Sequence, residues 1–230
     1  MRIKHFAVFK NKMETLNWEK LRNDEKEGPY YLPHNKEEYL LKVDTAEPSG
    51  LTQIILQEIR RTGLTKIFSL GSGIASQEYQ IKKFSNGQVV VTDNNSSVLR
   101  LKQFQIFDNA LILDAFKDPL PVDESWIVLF PRIDTECDDI QLRKLFEKCH
   151  SAGLKYIIFI PAELLSLRII IAEIKTMVIS LIKKKPRVFC GYARSLGAFK
   201  KIFGPFYTLA KNSRTDNRVF ILEGKEIGYD

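Results

Sequence analysis

Five short apolar runs recur along the middle of the chain: residues 66–70, 88–93, 109–116, 125–130 and 155–160. They are nearly continuous in apolar residues rather than alternating, which is the pattern of strands buried on both faces. Helical patterns separate them. Leu51, Ile54, Ile55 and Ile59 recur at helical spacing before Thr62-Gly63, and 77–84 ends at Ser85-Asn86-Gly87. Residues 95–107 and 140–150 read as further helices, the second stopped at Gly153. The alternation predicts a parallel sheet covered on both faces. At the far end, 206–210 and 218–223 flank a polar turn at 212–217 with no helix between them, so they are predicted to be antiparallel neighbours.

Two regions depart from this rhythm. Residues 163–185 are strongly apolar, but Arg168, Glu173 and Lys175 leave no uncharged run of membrane-spanning length. Leu164, Leu167, Ile170, Ile171, Ile174, Val178, Leu181 and Ile182 fall within an arc of about 140°. The expectation is an amphipathic helix packed on the sheet or on a second copy of the chain, within a helical insertion at 162–194. Residues 187–194 carry no clear element, and 195–203 form a short helix. Residues 1–47 scatter Phe6, Phe9, Trp18, Tyr30, Tyr31 and Tyr39 among charges, with breaks at Gly28-Pro29 and Leu32-Pro33. This segment is expected to lie over a main body at 48–230. Trp18, Tyr30 and Tyr31 either anchor it by packing or line a substrate pocket that it closes.

With 230 residues and 44% hydrophobic content, the chain can fill the core of one domain. Its formal charge of +7 is uneven, since residues 168–230 carry +8 and the remainder −1. A basic C-terminal third suits nucleic acid, phosphorylated substrates, an anionic membrane surface or simply water. No aromatic-rich basic motif accompanies it, so nucleic acid is not the favoured partner. Met1 to Phe6 lead into charges rather than the apolar core of a secretory signal. Cys137, Cys149 and Cys190 are odd in number and show no metal-ligand spacing. These features predict a cytoplasmic protein with no metal.

The chemistry concentrates where the first strand ends. Lys66–Leu70 stops abruptly at Gly71-Ser72-Gly73 and a helix follows, which is the strand–turn–helix setting of a nucleotide-binding turn. Glycines there allow a tight turn and close approach of a ligand to backbone N–H groups. The next strand ends in Asp93, twenty residues past Gly73, where an acid can accept hydrogen bonds from a ribose. Sheets of this kind bind ligands beyond the carboxyl ends of their strands. Here those ends are 69–73, 93–94, 114–116, 130–134 and 161–163.

This order of motifs resembles the class I, Rossmann-like S-adenosylmethionine-dependent methyltransferases over about residues 48–223. The resemblance implies an α/β fold: a three-layer Rossmann-like sheet, mostly parallel, with a C-terminal antiparallel hairpin and seven strands ordered 3-2-1-4-5-7-6. It implies S-adenosylmethionine as cofactor, with Ser69, Gly71, Ser72 and Gly73 around its methionine part. Asp93 is implied for the ribose, Asn94 beside the adenine, and Asp114, Ala115 and Phe116 in the segment that receives the adenine ring. The region from Phe130 through Arg132 to Asp134 is implied to border cofactor and substrate, and Arg194 lies in a stretch similar to the one leading into the terminal hairpin. Tyr30, Tyr31, Arg132 and Arg194 are thus the candidate substrate-binding residues.

Two positions depart from the family. Ser69 stands where an acid is common, and Ala75 where a third glycine is. Phe130-Pro131-Arg132-Ile133 replaces the Asn-Pro-Pro-Tyr type of motif, which argues against adenine, glutamine or cytosine as acceptor. A small molecule or saccharide methylated at oxygen is the expected substrate. Methyl transfer from a sulfonium is an in-line displacement that depends on positioning, and an oxygen acceptor gains from a general base. Asp134 and Glu136 are the first candidates for that base and His34 the second. The alternatives are an NAD-dependent oxidoreductase, whose fingerprint Gly71 to Ser76 nearly fits, an RNA methyltransferase, and a methyltransferase-like binding domain without turnover.

Overall fold

The computed structural model describes residues 2–4, 18–135, 137–183, 192–211, 213 and 219–226. The chain opens with β1 (Arg2–Lys4), α1 (Trp18–Asn23), a 3-10 turn at Glu25–Tyr30, α2 (Lys36–Val43) and α3 (Gly50–Thr62). The alternating part follows as β2 (Lys66–Leu70), α4 (Ser76–Phe84), β3 (Gln88–Asp93), α5 (Val98–Phe104), β4 (Asn109–Ile112), β5 (Trp126–Pro131), α6 (Asp139–Ser151) and β6 (Tyr156–Ile160). Next come α7 (Leu167–Lys183), β7 (Tyr192–Arg194), α8 (Leu196–Phe203), β8 (Tyr207–Leu209) and β9 (Phe220–Gly224).

Seven strands form one sheet in the order β4-β3-β2-β5-β6-β9-β8. Counted along the chain within the sheet, this is the expected 3-2-1-4-5-7-6. The first five are parallel, whereas β9 runs antiparallel to both β6 and β8. Strand residues alternate between two cores. Ile67, Val89, Val91, Ile127, Leu129, Ile158 and Ile221 meet α2, α3, α4 and α5 on one face. Phe68, Val90, Val128, Phe130, Ile157, Phe159, Phe220 and Leu222 meet α6 and α8 on the other. Both faces are therefore dry, which is why the strands read as continuous apolar runs.

Local chemistry sets the helix ends. Ser49 caps α3 through the Thr52 N–H, and Gly63 closes it with a left-handed φ of 69°. A reciprocal capping box between Asp138 and Gln141 starts α6, and Ser195 caps α8. The same chemistry shortens two predicted elements. The strand expected over 109–116 stops at Ile112, because the Asp114 carboxylate accepts from the N–H groups of Phe116 and Lys117 and turns the chain. The helix expected over 95–107 covers only Val98–Phe104. Asn95 accepts from the Ser97 N–H ahead of it, and Gln105 ends it with φ 53°.

Two expectations are corrected. Residues 192–194 form β7, which pairs antiparallel with β1 in a separate two-stranded ribbon. The helix over 163–185 begins only at Leu167, since Leu164 bridges Arg194 and the Leu165 N–H bonds the Arg194 carbonyl. None of the described side chains of α7 is buried, so these residues do not pack on the sheet. Leu167, Ile171, Ile174, Val178 and Ile182 are all exposed. Of the polar turn expected at 212–217 only Ser213 is described, and Phe6, Phe9 and Cys190 lie outside the described residues.

The α6/α8 side is an aromatic cluster centred on Phe159, whose ring lies 5.2 Å from Phe199, 5.7 Å from Phe146 and 5.8 Å from Phe220. Such edge-on contacts add to the large apolar area each ring buries. Phe159→Ala is expected to lower the free energy of urea unfolding by about 3–5 kcal/mol. Ile140→Ala, at a 67% exposed site of α6, should stay within about 0.5 kcal/mol. Similar losses at both sites would contradict this placement of the core.

Candidate functional site

At the carboxyl end of β2 the backbone turns through left-handed conformations at Gly71 (φ 72°), Gly73 (φ 61°) and Ala75 (φ 56°). Glycine adopts this region freely, whereas alanine pays a steric cost there. The loop is fastened to the neighbouring strand. The Ser72 N–H and hydroxyl both donate to the Thr92 carbonyl, at 2.9 and 3.1 Å. One Asp93 carboxylate oxygen accepts from the Gly73 N–H at 2.9 Å, and the other accepts from the Asn95 N–H at 3.0 Å. A carboxylate has about four lone-pair sites. Two are taken by these amides, and two remain for a diol.

Space above the loop is limited by specific neighbours. A Cβ on Gly71 would lie 3.6 Å from the Ile133 side chain, and one on Gly73 would lie 2.6 Å from Nη2 of Arg22. The turn after β5 therefore meets the loop from one direction and the N-terminal segment from another. Two cations fix that segment, Arg100 from the body and Lys42 from within the segment itself. Arg100 on α5 donates to the carbonyls of Leu32 and Arg22 and to Asn23, while Lys42 donates to the carbonyls of Gly28 and Tyr31.

Below the loop, the buried Ser69 hydroxyl donates to Oε1 of Glu78 at 2.5 Å. Glu78 comes from α4 and is itself buried. Burial pushes its carboxyl up to about 7; the Ser69 bond pulls it down, and the nearby Asp93 charge pushes it up. Where the sequence has a serine in place of an acid, the fold thus supplies a carboxylate from nine residues on. Glu78 and Arg22 are the two residues that sequence reasoning missed. Glu78 had a signal, since it stands three residues before Ile81 on the inward face of α4. Arg22 had none.

The remaining candidates divide into those near the strand ends and those locked elsewhere. Asn94 is exposed directly after Asp93. Beyond β4, Ala115 is buried, Phe116 is 38% exposed, and the Asp114 carboxylate is committed to its own turn and to Lys117. Phe130 points away into the aromatic core against Phe146 and Phe159. Arg132 is exposed and held at a left-handed φ of 62°, its N–H bonded to the Ile160 carbonyl. Tyr30 is exposed and stands edge-on to Trp18, while Tyr31 is buried with its hydroxyl towards Glu25.

Asp134 and Arg194 meet inside the protein, both fully buried. Asp134 accepts from the Ala162 N–H at 2.8 Å, and its other oxygen lies 3.8 Å from Arg194 without a hydrogen bond. Arg194 donates to Asp139 and to the carbonyls of Asp134 and Cys137. This network ties the ends of β5 and β6 to β7. Burial pushes the Asp134 carboxyl up to about 6. His34 is exposed and its Nδ1 faces Arg100 at 3.3 Å. An arginine only donates, so Nδ1 accepts and the proton of the neutral ring sits on Nε2. Glu136 lies outside the described residues.

The two buried acids make stability depend on pH in a definite direction. Glu78 titrates near 4.5 when unfolded and near 7 when folded, so the folded state keeps a proton that the unfolded chain releases. Its stabilising contribution is complete below the unfolded value and is lost as pH rises through the folded one. Asp134 behaves likewise between 3.8 and about 6. The unfolding free energy from urea titrations is expected to fall between about pH 5 and about pH 8, by roughly 3 kcal/mol from Glu78 alone. Glu78→Gln should flatten most of that fall. An unchanged slope in this variant would show that Glu78 ionises normally.

Compared with protein-family models and with curated protein sequences, the chain matches none. Solved structures do resemble it. Human N-acetylserotonin methyltransferase in complex with S-adenosylmethionine superposes with a TM-score of 0.57 at 15% identity, over 95% of this chain and 60% of that one. The mitomycin 7-O-methyltransferase MmcR gives 0.56 at 15% identity, over 90% and 59%. Magnesium protoporphyrin IX methyltransferase from Synechocystis PCC 6803, with bound S-adenosylhomocysteine, gives 0.54 at 11% identity over 89% of this chain and 96% of that one. The chain thus spans about 60% of the length of the human enzyme. What these likenesses establish is the architecture: the chain has the Rossmann-like α/β fold of S-adenosylmethionine-dependent methyltransferases.

Proposed function

We propose that the chain is an S-adenosylmethionine-dependent methyltransferase acting at oxygen on a small-molecule or saccharide acceptor. The observation that carries this reading is the Asp93 carboxylate, fastened behind Gly71–Gly73 with two lone-pair sites left over. The residues present fit the cofactor: a loop in glycine conformations, a diol acceptor, and a buried guanidinium with an orphaned nitrogen above the loop. Support for the acceptor class comes from neighbours named for O-methylation of small molecules.

When bound, S-adenosylmethionine supplies an electrophilic methyl group on a sulfonium. Asp93 takes the ribose hydroxyls, and the Gly71–Gly73 backbone leaves room for the chain that bears the sulfur. Asn94, Ala115 and Phe116 flank the adenine. Tyr30 and Arg132, both exposed, face the acceptor. Catalysis then lies chiefly in positioning, since in-line geometry alone can account for a large part of such a barrier. His34, with its proton on Nε2, donates to the acceptor rather than removing its proton. Asp134 and Arg194 act as positioning residues beneath the β5 turn, and Glu136 is the candidate base.

The test is calorimetric titration of S-adenosylmethionine, S-adenosylhomocysteine and NAD into the intact protein, with Asp93→Ala and Asp93→Asn beside it. The first two ligands should bind, and Asp93→Ala should weaken both by at least about tenfold. Binding of NAD alone would replace this reading with an oxidoreductase. No binding of any of the three would leave a binding module without turnover.

Among the described residues no helix is long and apolar enough to cross a membrane. The exposed stripe Leu167, Ile171, Ile174, Val178 and Ile182 supports a homodimer in which α7 of one copy lies on α7 of another. Light scattering should give a dimer mass that Ile174→Glu reduces to a monomer. A monomeric parent protein at high concentration would exclude it.

A further inference from the structure

The guanidinium of Arg22 is the most unusual charge in the molecule. It is only 8% exposed, and its Nε is buried with no hydrogen-bond partner. Nη1 donates to the Tyr30 carbonyl at 3.0 Å, the group lies 5.1 Å from the centre of the Trp18 ring, and Nη2 reaches over Gly73. Its backbone is pinned as well, because the Arg22 carbonyl accepts from the Leu32 N–H and from Arg100. The side chain is therefore held in place at both ends and aimed at the glycine loop.

Burial disfavours its charged form, and the attraction of Asp93 is the largest influence opposing that. Asp93 nevertheless accepts its two hydrogen bonds from the N–H groups of Gly73 and Asn95, not from Arg22. A desolvated guanidinium with a donor left unmade is costly unless an anion completes it. Arginine is also the side chain best suited to grip a carboxylate with two parallel donors. A methyl group on Gly73 would collide with it, so the residue type at 73 keeps open the space that Arg22 occupies.

We propose that Arg22 is the receptor for the carboxylate of the cofactor's amino-acid part, and that its capture fastens residues 18–34 where they lie over the glycine loop. This rests on the methyltransferase reading above. The nucleoside end is then held by Asp93 and the amino-acid end by Arg22, from two parts of the chain far apart in sequence. Ligands with the nucleoside but no carboxylate should lose only the second contact.

The test compares S-adenosylhomocysteine with 5′-methylthioadenosine, which keeps the adenosine and thioether and lacks the amino acid. Both are titrated calorimetrically into the intact protein and into Arg22→Met and Arg22→Lys. The parent protein should prefer S-adenosylhomocysteine. Arg22→Met should weaken that ligand about ten- to a hundredfold while leaving methylthioadenosine within a few-fold, and Arg22→Lys should fall between. Equal weakening of both ligands would mean that Arg22 only builds the segment around it, and would overturn the proposal. So would unchanged or tighter binding of S-adenosylhomocysteine, the latter marking Arg22 as a plug. If the parent protein binds neither ligand, the methyltransferase reading itself fails and this proposal falls with it. Protection of residues 18–34 from hydrogen exchange by S-adenosylhomocysteine, but not by methylthioadenosine, is the second expected result.

Discussion

The Asp93 carboxylate joins two loops that emerge from adjacent parallel strands, accepting the Gly73 N–H with one oxygen and the Asn95 N–H with the other. A parallel pair cannot be linked by a hairpin at that end, so nothing in the sheet itself fixes how the two loops sit relative to each other. The charge-assisted bonds supply that missing link. Thr92, beside Asp93 on β3, reinforces it: its carbonyl accepts from the Ser72 hydroxyl, and its own hydroxyl donates to the Ser69 carbonyl. Asp93, Asn94 and the Gly71–Gly73 backbone are placed with respect to this tie, because the loops that carry them start from the strand ends it spans.

Around it the molecule stores charge in places where burial works against it. Glu78 sits buried under the loop with the Ser69 hydroxyl as its side-chain donor, and Arg22 sits over it with an orphaned nitrogen. On the far side of β5, Asp134 and Arg194 face each other in full burial. Arg194 is satisfied there by carbonyls and by Asp139, which stiffens the joint between β5, β6 and β7, although one Asp134 oxygen stays without a partner. Arg22 differs in its place, because its unpaired Nε lies beside the glycine loop rather than inside a strand joint.

What the sequence made legible was whatever is local. The glycine turn, Asp93, the buried strands and the terminal hairpin all announce themselves within windows of a few residues, and strand order followed once a family resemblance ordered them. Long-range juxtapositions were invisible. Nothing near Arg22 in sequence indicates that it lies over Gly73, and Ser69 looked like a loss only because its partner Glu78 is nine residues on, across the glycine turn in α4. Side-chain parity was the other obstacle. Phe130 was assigned to a border region, yet its alternation with Leu129 sends it into the aromatic layer. Strands of three residues, such as β1 and β7, carry too little pattern to be read at all.

The position of β9 has a consequence for how the fold is reached. It comes last along the chain among the sheet's strands but lies inside the sheet, between β6 and β8. Until it emerges during synthesis, β6 exposes an unpaired edge with Ile157, Ile158 and Phe159 beside it. A nascent chain in that state offers a template to any free strand, its own copies included. Completion of the two cores is thereby a late and nearly simultaneous event, because Ile221 closes one while Phe220 and Leu222 close the other.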